Sequence, residues 1–358
     1  MLSGITELQA RSRRSTNHPT VLLTGASGVV GHALLARLRG WHVVCLVHRT
    51  PVNIAGARSV PGDVSQLGLG LNAEVYADLA GQVDAVIHCA AITQFNRSDG
   101  SLEATNIGGT ENVLAFARDA GAIFYHVSTA FVNTETGSDN QQTALGYASS
   151  KRAAEMVVKS SGVPHVILRP SVVIGDSDTG RVQAFQGLHQ VAAAISAGLL
   201  PVIPFDPAWP IDFLPCDVVA DAIATVVDHR LAGVELWITA GSKALSLDEA
   251  VSTCVALVNE LGMPLEQPRF VPPDLFERLI APVFLAEMPT RIRIAVKRTL
   301  DFFATYLAAG RTMPSSLDEL ESLGMRPLPD QLTTLETSLR YWFQESDFLR
   351  TAAVREVA

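Results

Sequence analysis

The stretch that decides the fold is residues 20–31, which read TVLLTGASGVVG. A short apolar run, typical of a buried strand, leads directly into Gly25, Gly28 and Gly31, and helical spacing then continues to Leu38. Glycine permits a tight turn, and its missing side chain lets a phosphate approach backbone N–H groups at the positive end of a helix. The context favours a nucleotide-binding turn over a purely structural one. We expect cofactor contacts from eight residues: Thr24, Gly25, Ala26, Ser27, Gly28, Val29, Val30 and Gly31.

The rest of the N-terminal half alternates short β-branched runs with longer helical patterns. This alternation predicts an α/β fold, in which a doubly wound parallel sheet of the Rossmann type is covered by helices on both faces. Strands are expected at 21–23, 41–47, 84–88, 122–127, 165–168 and 235–238, and helices at 101–120, 146–160, from Ser246 onward, 289–309 and 330–344.

Length and rhythm together predict the domains. A chain of 358 residues exceeds one minimal core, and after Gly175 the pattern changes to helices and loops punctuated by proline. We expect a flexible tail at 1–18, a nucleotide-binding Rossmann domain at 19–175 and a smaller, mainly helical substrate-binding lobe at 176–358, from which 234–240 returns to the sheet.

Composition argues against several classes of protein. A net charge of −9 with 48% hydrophobic residues is typical of a globular enzyme and disfavours nucleic acid as a partner. The four cysteines and nine histidines show no metal-ligating spacing, so we expect no metal and reduced thiols in a cytoplasmic protein. The apolar tract 191–205 is interrupted by serine, glycine and proline and is shorter than the roughly 20 residues of a membrane helix. We therefore expect no stable membrane insertion, and the first residues lack the apolar core of a secretory signal.

The end of the second predicted strand indicates which dinucleotide the turn binds. In this fold a carboxylate there accepts hydrogen bonds from the ribose of NAD, whereas an arginine neutralises the extra phosphate of NADP. The strand ends here at His48 and Arg49 with no acidic residue beside them, so we expect both to contact NADP(H); a solvated surface charge is the alternative for Arg49. Asp63 is expected either to accept from the adenine amino group or to cap its own loop.

Tyr147 and Lys151 lie four residues apart, in YASSK, within a predicted helix. Both side chains therefore leave the same face, one turn from each other. An ammonium near a phenol lowers the phenol pKa from about 10 toward neutral pH, which makes Tyr147 a candidate proton donor to a carbonyl that receives a hydride. Ser128 and Thr129 follow the preceding strand at its carboxyl end, where sites of open sheets form, and we expect them to contact substrate together with Tyr147.

Together these motifs resemble those of the extended short-chain dehydrogenase/reductase family. The family's glycine turn, an asparagine on its fourth helix, a serine or threonine after its fifth strand and its YxxxK pair match TGASGVVG, Asn106, Thr129, and Tyr147 with Lys151. The resemblance implies that Tyr147 is the general acid and that Thr129 hydrogen-bonds the substrate oxygen. It also implies that Lys151 binds the nicotinamide ribose and tunes Tyr147, and that Asn106 has a supporting structural role.

Two further stretches resemble the branch of that family that contains thioester reductase domains and fatty acyl-CoA reductases. They are GDVSQLGLGL at 62–71 and RPSVVIGDS at 169–177. The resemblance implies further cofactor contacts from Asp63, Val64, Cys89, Ala90, Ala91, Val127, Tyr147, Lys151, Pro170, Val172 and Val173. Cys89 departs from this branch, which usually has asparagine there, and the segment between Thr129 and Tyr147 is shorter than in many carrier-linked reductases.

The resemblance implies NADPH-dependent reduction of an acyl thioester, carried by CoA or by a carrier protein, to an aldehyde or alcohol. Reduction of a ketone or aldehyde, or oxidation of an alcohol, on a sterol-like, sugar-nucleotide or polyketide substrate would use the same residues and stays open. A non-catalytic NADP(H)-binding regulator is the alternative of another class, although such proteins usually lose the tyrosine or the lysine.

A basic cluster at Arg291, Arg293, Lys297 and Arg298 is expected either to dock an acidic carrier or a CoA phosphate, or to form a solvated helix face. The sequence leaves open whether the chain forms a homo-oligomer.

Overall fold

The computed structural model describes residues 18–50, 56–93, 100–133, 142–185, 187–307, 310–346 and 348. The expected tail at 1–18 lies, except for His18, outside the described residues. By their contacts the residues form two compact units. Unit 1 holds the chain up to Ser171 with Cys216–Thr239 and Ser315–Pro327, and unit 2 holds Val172–Pro215, Ala240–Pro314 and the chain from Leu328. Unit 1 therefore includes more of the C-terminal half than residues 234–240 alone.

Strands and helices alternate along most of the chain. The strands are β1 Thr20–Thr24, β2 His42–Val47, β3 Ala57–Pro61, β4 Val83–His88, β5 Ile123–Val127, β6 His165–Pro170, β7 Val172–Ile174, β8 Val202–Ile203, β9 Pro210–Ile211, β10 Phe213–Pro215, β11 Val234–Ile238, β12 Leu245–Ser246 and β13 Arg269–Phe270. The helices are α1 Val29–Leu35, α2 Ala73–Ala80, α3 Ser101–Glu103, α4 Gly109–Ala120, α5 Gln142–Ser160, α6 Leu188–Ser196, α7 Cys216–Asp228, α8 Leu247–Glu260, α9 Pro273–Leu275, α10 Ala281–Phe284, α11 Thr290–Tyr306, α12 Leu317–Ser322 and α13 Gln331–Glu345. π-helical turns at Ala104–Gly108 and Phe276–Ile280 join α3 to α4 and α9 to α10.

Unit 1 is built on a seven-stranded parallel sheet in the order β11, β6, β5, β4, β1, β2, β3. This order, with the mainly helical C-terminal region, confirms the predicted fold class. All seven strands run in one direction, so the residues that follow β1, β4 and β5 meet at a single edge, where open α/β sheets place their ligands.

The centre of this sheet is a continuous apolar face. Leu22, Val86 and Phe124 lie opposite one another across β1, β4 and β5, and they are fully buried in one cluster with Val113 and Phe116 of α4. Burial of each such side chain stabilises the fold by about 1.5–3 kcal/mol. Because a slip of one residue would turn this set to the other face, the cluster also fixes the register of the strands.

β3 is the sheet strand that the sequence pattern does not reveal. Its residues, ARSVP, include an arginine and a proline, and only Val60 among them is buried. The strand forms one edge of the sheet, where exposed polar residues and proline are tolerated because one side of the backbone needs no partner.

α7 belongs to unit 1 because it packs against α1 and the turn that follows it. Arg37 Nε donates to Asp221 Oδ1 at 2.7 Å, and Trp41 Nε1 donates to Asp228 Oδ1 at 2.8 Å. After α7 the chain enters β11, which pairs in parallel with β6. The sheet is thus completed by a segment that follows β6 by more than sixty residues along the chain.

Unit 2 is mainly helical. α6, α8 and α13 pack together and bury Val191, Val258 and Leu339, and α11 buries Phe303, whose ring centroid lies 5.8 Å from that of Phe205. Across the described ranges, no helix is both long and apolar enough to span a bilayer.

Candidate active site

The turn after β1 is shaped by two glycines that no other residue can replace without movement. Gly25 has a φ of +73°, and a Cβ there would lie 2.6 Å from the backbone nitrogen of Ala90. A Cβ on Gly31 would lie 2.2 Å from the carbonyl oxygen of Gly25. The turn after β1 can therefore approach the loop after β4 on one side and the first turn of α1 on the other only because both positions lack side chains.

A cavity of about 560 Å³ opens above this turn, within the range of small-molecule and cofactor sites. Eleven expected cofactor contacts line it: Gly25, Ala26, Ser27, Gly28, His48, Arg49, Asp63, Val64, Cys89, Ala90 and Ala91. The cavity is also lined by residues that sequence reasoning missed, namely Leu46, Val47, Thr50, Gly62, Ser65, Ile92, Thr93, Ser101, Ala104 and Thr105. Most of these adjoin a predicted contact at a strand end, so the common edge of the parallel strands was the signal that could have found them. The cavity and the glycine cradle fit a dinucleotide.

A directed chain of hydrogen bonds supports the floor of the cavity. The Ala90 N–H donates to Thr24 Oγ1 at 3.2 Å, and Thr24 Oγ1 lies 2.8 Å from His88 Nδ1. His88 Nε2 lies 3.2 Å from Thr110 Oγ1, which donates to the Asn106 carbonyl at 2.7 Å. Burial lowers the pKa of His88 to about 3, so the ring is neutral, and these partners assign its proton to Nε2. Thr24 therefore lies beneath the cofactor turn and ties β1 to β4.

The remaining expected cofactor contacts do not line the cavity. Val29 and Val30 begin α1 and are partly exposed, and Gly31 packs against the back of the turn. Pro170 ends β6, and Val172 and Val173 begin β7 in unit 2. These residues, with Val127, Tyr147 and Lys151, are not among the described residues that line the cavity.

The cavity wall near β2 carries the two residues expected to select the cofactor. His48 and Arg49 are exposed, and His48 Nε2 lies 3.5 Å from Asp63 Oδ2. Asp63 Oδ1 accepts from the backbone nitrogen of Ser65 at 2.9 Å and from its hydroxyl at 2.8 Å. Partial burial acts to raise the pKa of Asp63, but the Ser65 hydrogen bonds and the charges of His48 and Arg49 lower it below its usual value. Asp63 thus has the loop-capping contacts that were one of its two expected roles.

Lys151 is held at the end of β5. It is 2% exposed, and its Nζ donates to the carbonyl of Val127 at 2.7 Å. Burial lowers the pKa of Lys151 to about 8, while Cys89 and Glu155 act to raise it. The ammonium lies one turn along α5 from Tyr147, as the spacing predicts.

Tyr147 differs from the sequence expectation in its pKa. Burial raises the pKa of this phenol to about 12, whereas proximity to Lys151 was expected to lower it. The cost of burying a phenolate therefore sets the direction of this shift. Tyr147 is consequently protonated at neutral pH, which is the form that a proton donor needs.

Ser128 and Thr129 continue β5 at the same edge. Thr129 is 5% exposed, and its hydroxyl accepts from the Phe131 N–H at 3.4 Å. Ser128 is 3% exposed, and its hydroxyl donates to Glu155 Oε1 at 2.5 Å. The structure therefore turns Ser128, expected to contact substrate, toward a buried carboxylate. Residues 134–141, eight of the 17 residues between Thr129 and Tyr147, lie outside the described part of the chain.

Asn106 lies in the π-helical turn between α3 and α4 and is 1% exposed. Its Oδ1 accepts from the Ile92 N–H at 2.8 Å, and its Nδ2 donates to the Ile92 carbonyl at 3.1 Å and to Ser150 Oγ at 3.0 Å. Ser150 Oγ in turn donates to the Tyr147 carbonyl at 2.7 Å. Asn106 therefore connects a cavity-lining loop to the first turns of the helix that carries Tyr147.

Cys89 occupies the border between the cavity and Lys151. It lines the cavity, its N–H donates to the Thr24 carbonyl at 3.2 Å, and its thiol faces the Lys151 ammonium. Burial raises the pKa of the Cys89 thiol to about 12, although Lys151 acts to lower it, so the thiol is neutral. The backbone contact of this residue does not depend on its side chain, so the departure from asparagine leaves the loop in place.

The other expectations concern metal ions and the basic cluster. Within the described ranges, no group of three or more histidine, cysteine or acidic side chains is arranged to hold a metal. In the basic cluster, Arg291 and Lys297 are exposed on α11 and Arg293 is partly buried, while the side chain of Arg298 lies outside the described part of the structure.

Comparison with known proteins adds sequence relatives to this geometry. Residues 55–223 match an NAD-binding family model described as Male sterility protein. The glycine betaine reductase ATRR of Emericella nidulans is 28% identical over 253 residues, which are 58% of this chain and 20% of that protein. The isonitrile lipopeptide synthase of Streptomyces coeruleorubidus is 29% identical over 265 residues, 60% of this chain and 18% of the synthase. The chain thus spans a fifth or less of the length of these curated relatives.

A solved structure shares the fold over nearly the whole chain. The terminal R domain from the myxalamid PKS-NRPS biosynthetic pathway has a TM-score of 0.71 and 22% identity, and the match covers 92% of both chains.

Proposed function

We propose that the chain belongs to the extended short-chain dehydrogenase/reductase family, in the branch of thioester reductases and fatty acyl-CoA reductases, and that it uses NADPH to reduce an acyl thioester. The observation that carries this proposal is the position of Lys151. Its ammonium is fixed to the Val127 carbonyl beside Thr129, one helical turn from Tyr147, and it faces Cys89, which lines the nucleotide cavity. This arrangement supports a site in which Tyr147, Lys151 and the cavity act together at one edge of the sheet.

The side chains divide the work between binding and proton transfer. When bound, NADPH supplies the hydride, so that an acyl thioester, NADPH and a proton become an aldehyde, a free thiol and NADP⁺. The Thr129 hydroxyl donates a hydrogen bond to the substrate oxygen and stabilises its developing charge. Tyr147 donates its proton to that oxygen, and cleavage of the carbon–sulfur bond then releases the thiol and regenerates the carbonyl. Lys151 binds the nicotinamide ribose and provides the positive charge that stabilises the tyrosinate left behind.

We propose NADPH rather than NADH because of the wall near β2. Asp63 is the one acidic residue among the described residues that line the cavity, and Ser65 and His48 already occupy its carboxylate. Arg49 is exposed on the same wall. A guanidinium there favours a 2′-phosphate, and Asp63 is already hydrogen-bonded by Ser65 within its own loop.

The substrate class is the part of the proposal that rests on relatives. One relative is named a glycine betaine reductase and another an isonitrile lipopeptide synthase, and both are much longer than this chain. We propose an acyl group joined as a thioester to CoA or to the phosphopantetheine of a carrier protein. The free, reduced state of all four cysteines is compatible with the proposed cytoplasmic location.

The test follows two products at once. The purified chain is incubated with NADPH or NADH and a panel of acyl-CoA thioesters, acyl-pantetheines, aldehydes and ketones, while nicotinamide oxidation and free thiol are measured in the same sample. We expect thiol release that matches NADPH oxidation, or half of it if the aldehyde is reduced further. We expect Tyr147→Phe to lower the rate by roughly 100-fold or more. Tyr76→Phe is the matched control, since the Tyr76 hydroxyl binds Asp119 away from the cavity.

Other outcomes would move the assignment. Oxidation of NADPH with aldehydes or ketones but never with thioesters would make the chain a carbonyl reductase. Tight NADPH binding without turnover of any substrate, unchanged in Tyr147→Phe, would indicate a non-catalytic regulator.

A further inference from the structure

A buried group of charged side chains lies behind the end of β5, and the proposed reaction does not use it. Glu155 of α5 is 4% exposed and Arg169 of β6 is 5% exposed. Charged residues are rarely so buried unless they are paired, because each loses its hydration. The partners of Glu155 therefore show what it holds.

The Glu155 carboxylate is fully paired. Its Oε1 accepts from Ser128 Oγ at 2.5 Å and from Arg169 Nε at 2.9 Å, and its Oε2 accepts from Arg169 Nη2 at 2.6 Å. Arg169 Nη2 also donates to Glu235 Oε2 at 2.5 Å, and its guanidinium lies 5.0 Å from the centre of the Trp237 ring. One carboxylate thus joins α5, β5 and β6, and through Arg169 it reaches β11.

α5 is hydrogen-bonded to two adjacent residues at the end of β5. Lys151 Nζ binds the Val127 carbonyl at 2.7 Å, and one helical turn later Glu155 binds the Ser128 hydroxyl. The Ser128 N–H donates to the Leu168 carbonyl at 2.7 Å, which also ties this residue to β6. Thr129 is the next residue, so its position depends on how these two hydrogen bonds align the helix with the strand.

We propose that Glu155 is a positioning residue of this site: with Ser128 it fixes the strand end that carries Thr129, and its carboxylate is the negative charge that Lys151 faces along α5. Ser128 is then part of the scaffold and does not contact substrate. The inference rests on the proposed function for the roles of Thr129 and Lys151, whereas the contacts themselves do not depend on it.

The charges around Lys151 give this inference a measurable consequence. The groups that face Lys151 are His88 of β4, His126 of β5, Cys89 and Glu155. Burial lowers the pKa of His88 to about 3, lowers that of His126 far below its usual value and raises that of Cys89 to about 12, so these three are neutral. Glu155 is therefore the carboxylate, among the described groups, that opposes the effect of burial on the pKa of Lys151. Its removal should lower that pKa further.

The experiment measures the pKa of Lys151 directly. The chain contains four lysines, Lys151, Lys159, Lys243 and Lys297, so side-chain carbon signals of selectively ¹³C-labelled lysine can be followed across a pH titration and assigned with Lys151→Arg. We expect Glu155→Gln to lower the Lys151 pKa by about one unit, because a carboxylate one helical turn away, which acts to raise that pKa, is lost inside the protein. Glu235→Gln is the matched control: it removes the other carboxylate on Arg169, does not face Lys151, and should leave that pKa within about 0.2 units.

A second variant keeps the test decisive if Glu155→Gln does not fold. The pair Glu155→Gln with Arg169→Gln leaves no buried charge without a partner, and it should lower the Lys151 pKa in the same direction. The alkaline limit of NADPH binding should move to lower pH by the same amount. A Lys151 pKa that stays unchanged in both variants, or that shifts equally in Glu235→Gln, would overturn the inference. The titration needs no substrate, so failure of the proposed reaction would leave its result interpretable.

Discussion

The nucleotide turn and the Tyr147 helix lie at the same edge of one sheet, but they are built from different material. The turn is made of backbone, and its shape depends on atoms that are missing at Gly25 and Gly31. The helix site is made of buried side chains, Lys151 and Glu155, whose partners come from other strands. The first region should therefore be sensitive to added atoms, and the second to lost charges.

The largest effect should come from removing a charge from the side-chain site. Lys151→Met should lower kcat/KM for the reduction by roughly 1,000-fold, because the ammonium that stabilises the tyrosinate and binds the ribose is lost. Steady-state kinetics measure this. Lys297→Met, on the exposed face of α11, is the control and should change kcat/KM less than about twofold. Equal losses in the two variants would contradict the assigned role.

An added methyl group should break the backbone site. Gly31→Ala should lower the free energy of unfolding by up to about 3 kcal/mol and weaken NADPH binding, because its Cβ would meet the Gly25 carbonyl oxygen at 2.2 Å. Denaturant titration and cofactor fluorescence measure the two effects. Gly40→Ala has no atom within 4 Å of the new Cβ and should stay within about 0.5 kcal/mol of the parent. The comparison fails if both variants behave alike.

The cavity wall near β2 carries the exposed cation Arg49. Arg49→Gln should reduce the preference for NADPH over NADH by about tenfold, since one charge-assisted contact with the 2′-phosphate is lost. Dissociation constants of both cofactors measure it, and NADH binding should hardly change. A preference that remains intact would assign Arg49 to the solvated surface.

The smallest effect should be a difference in the free energy of unfolding between variants of two stacked histidines, His88 and His126. His88 is paired on both ring nitrogens, whereas His126, whose ring centroid lies 5.8 Å away, is fully buried and has no hydrogen-bond partner among the described residues. His126→Leu should raise the free energy of unfolding by about 1 kcal/mol, because it removes two buried polar atoms without partners. His88→Leu should lower the free energy of unfolding, because the hydroxyls of Thr24 and Thr110 would lose their hydrogen-bond partner.

The contribution of His126 to the free energy of unfolding should also depend on pH. Burial holds the folded pKa of His126 well below its usual value, so the unfolded chain takes up a proton that the folded chain does not. Stability from this residue is present above pH of about 6.5 and is lost as the pH falls below it. The gain in His126→Leu should therefore grow between pH 7 and pH 5 in calorimetry, and a constant difference would show that His126 has a partner.

The sequence predicts the backbone site better than the side-chain site, for a physical reason. The glycine turn and the spacing of Tyr147 and Lys151 are local, so a strand followed by TGASGVVG, or two residues four apart on a helix, indicates its geometry directly. The fold class and the positions of β1, β4, β5 and β6 follow from the same local periodicity.

Features that depend on distant partners could not be predicted in this way. The Ser128 hydroxyl binds Glu155, which is itself held by Arg169, 14 residues further along the chain. Arg169 in turn binds Glu235, another 66 residues along. The raised pKa of Tyr147 reflects burial, which spacing on a helix does not reveal. β3 was missed because an edge strand needs no apolar alternation.

The central claim is tested most directly by the fate of the transferred hydrogen. The chain is given an acyl thioester and NADPH deuterated at the transferring position of the nicotinamide, and the product is trapped as an oxime for mass spectrometry. We predict an aldehyde that carries one deuterium on its carbonyl carbon, with one thiol released per aldehyde and both products formed roughly 100-fold more slowly by Tyr147→Phe. Thiol release without deuterium in the aldehyde, or deuterium found only in alcohols made from added ketones, would contradict thioester reduction at this site.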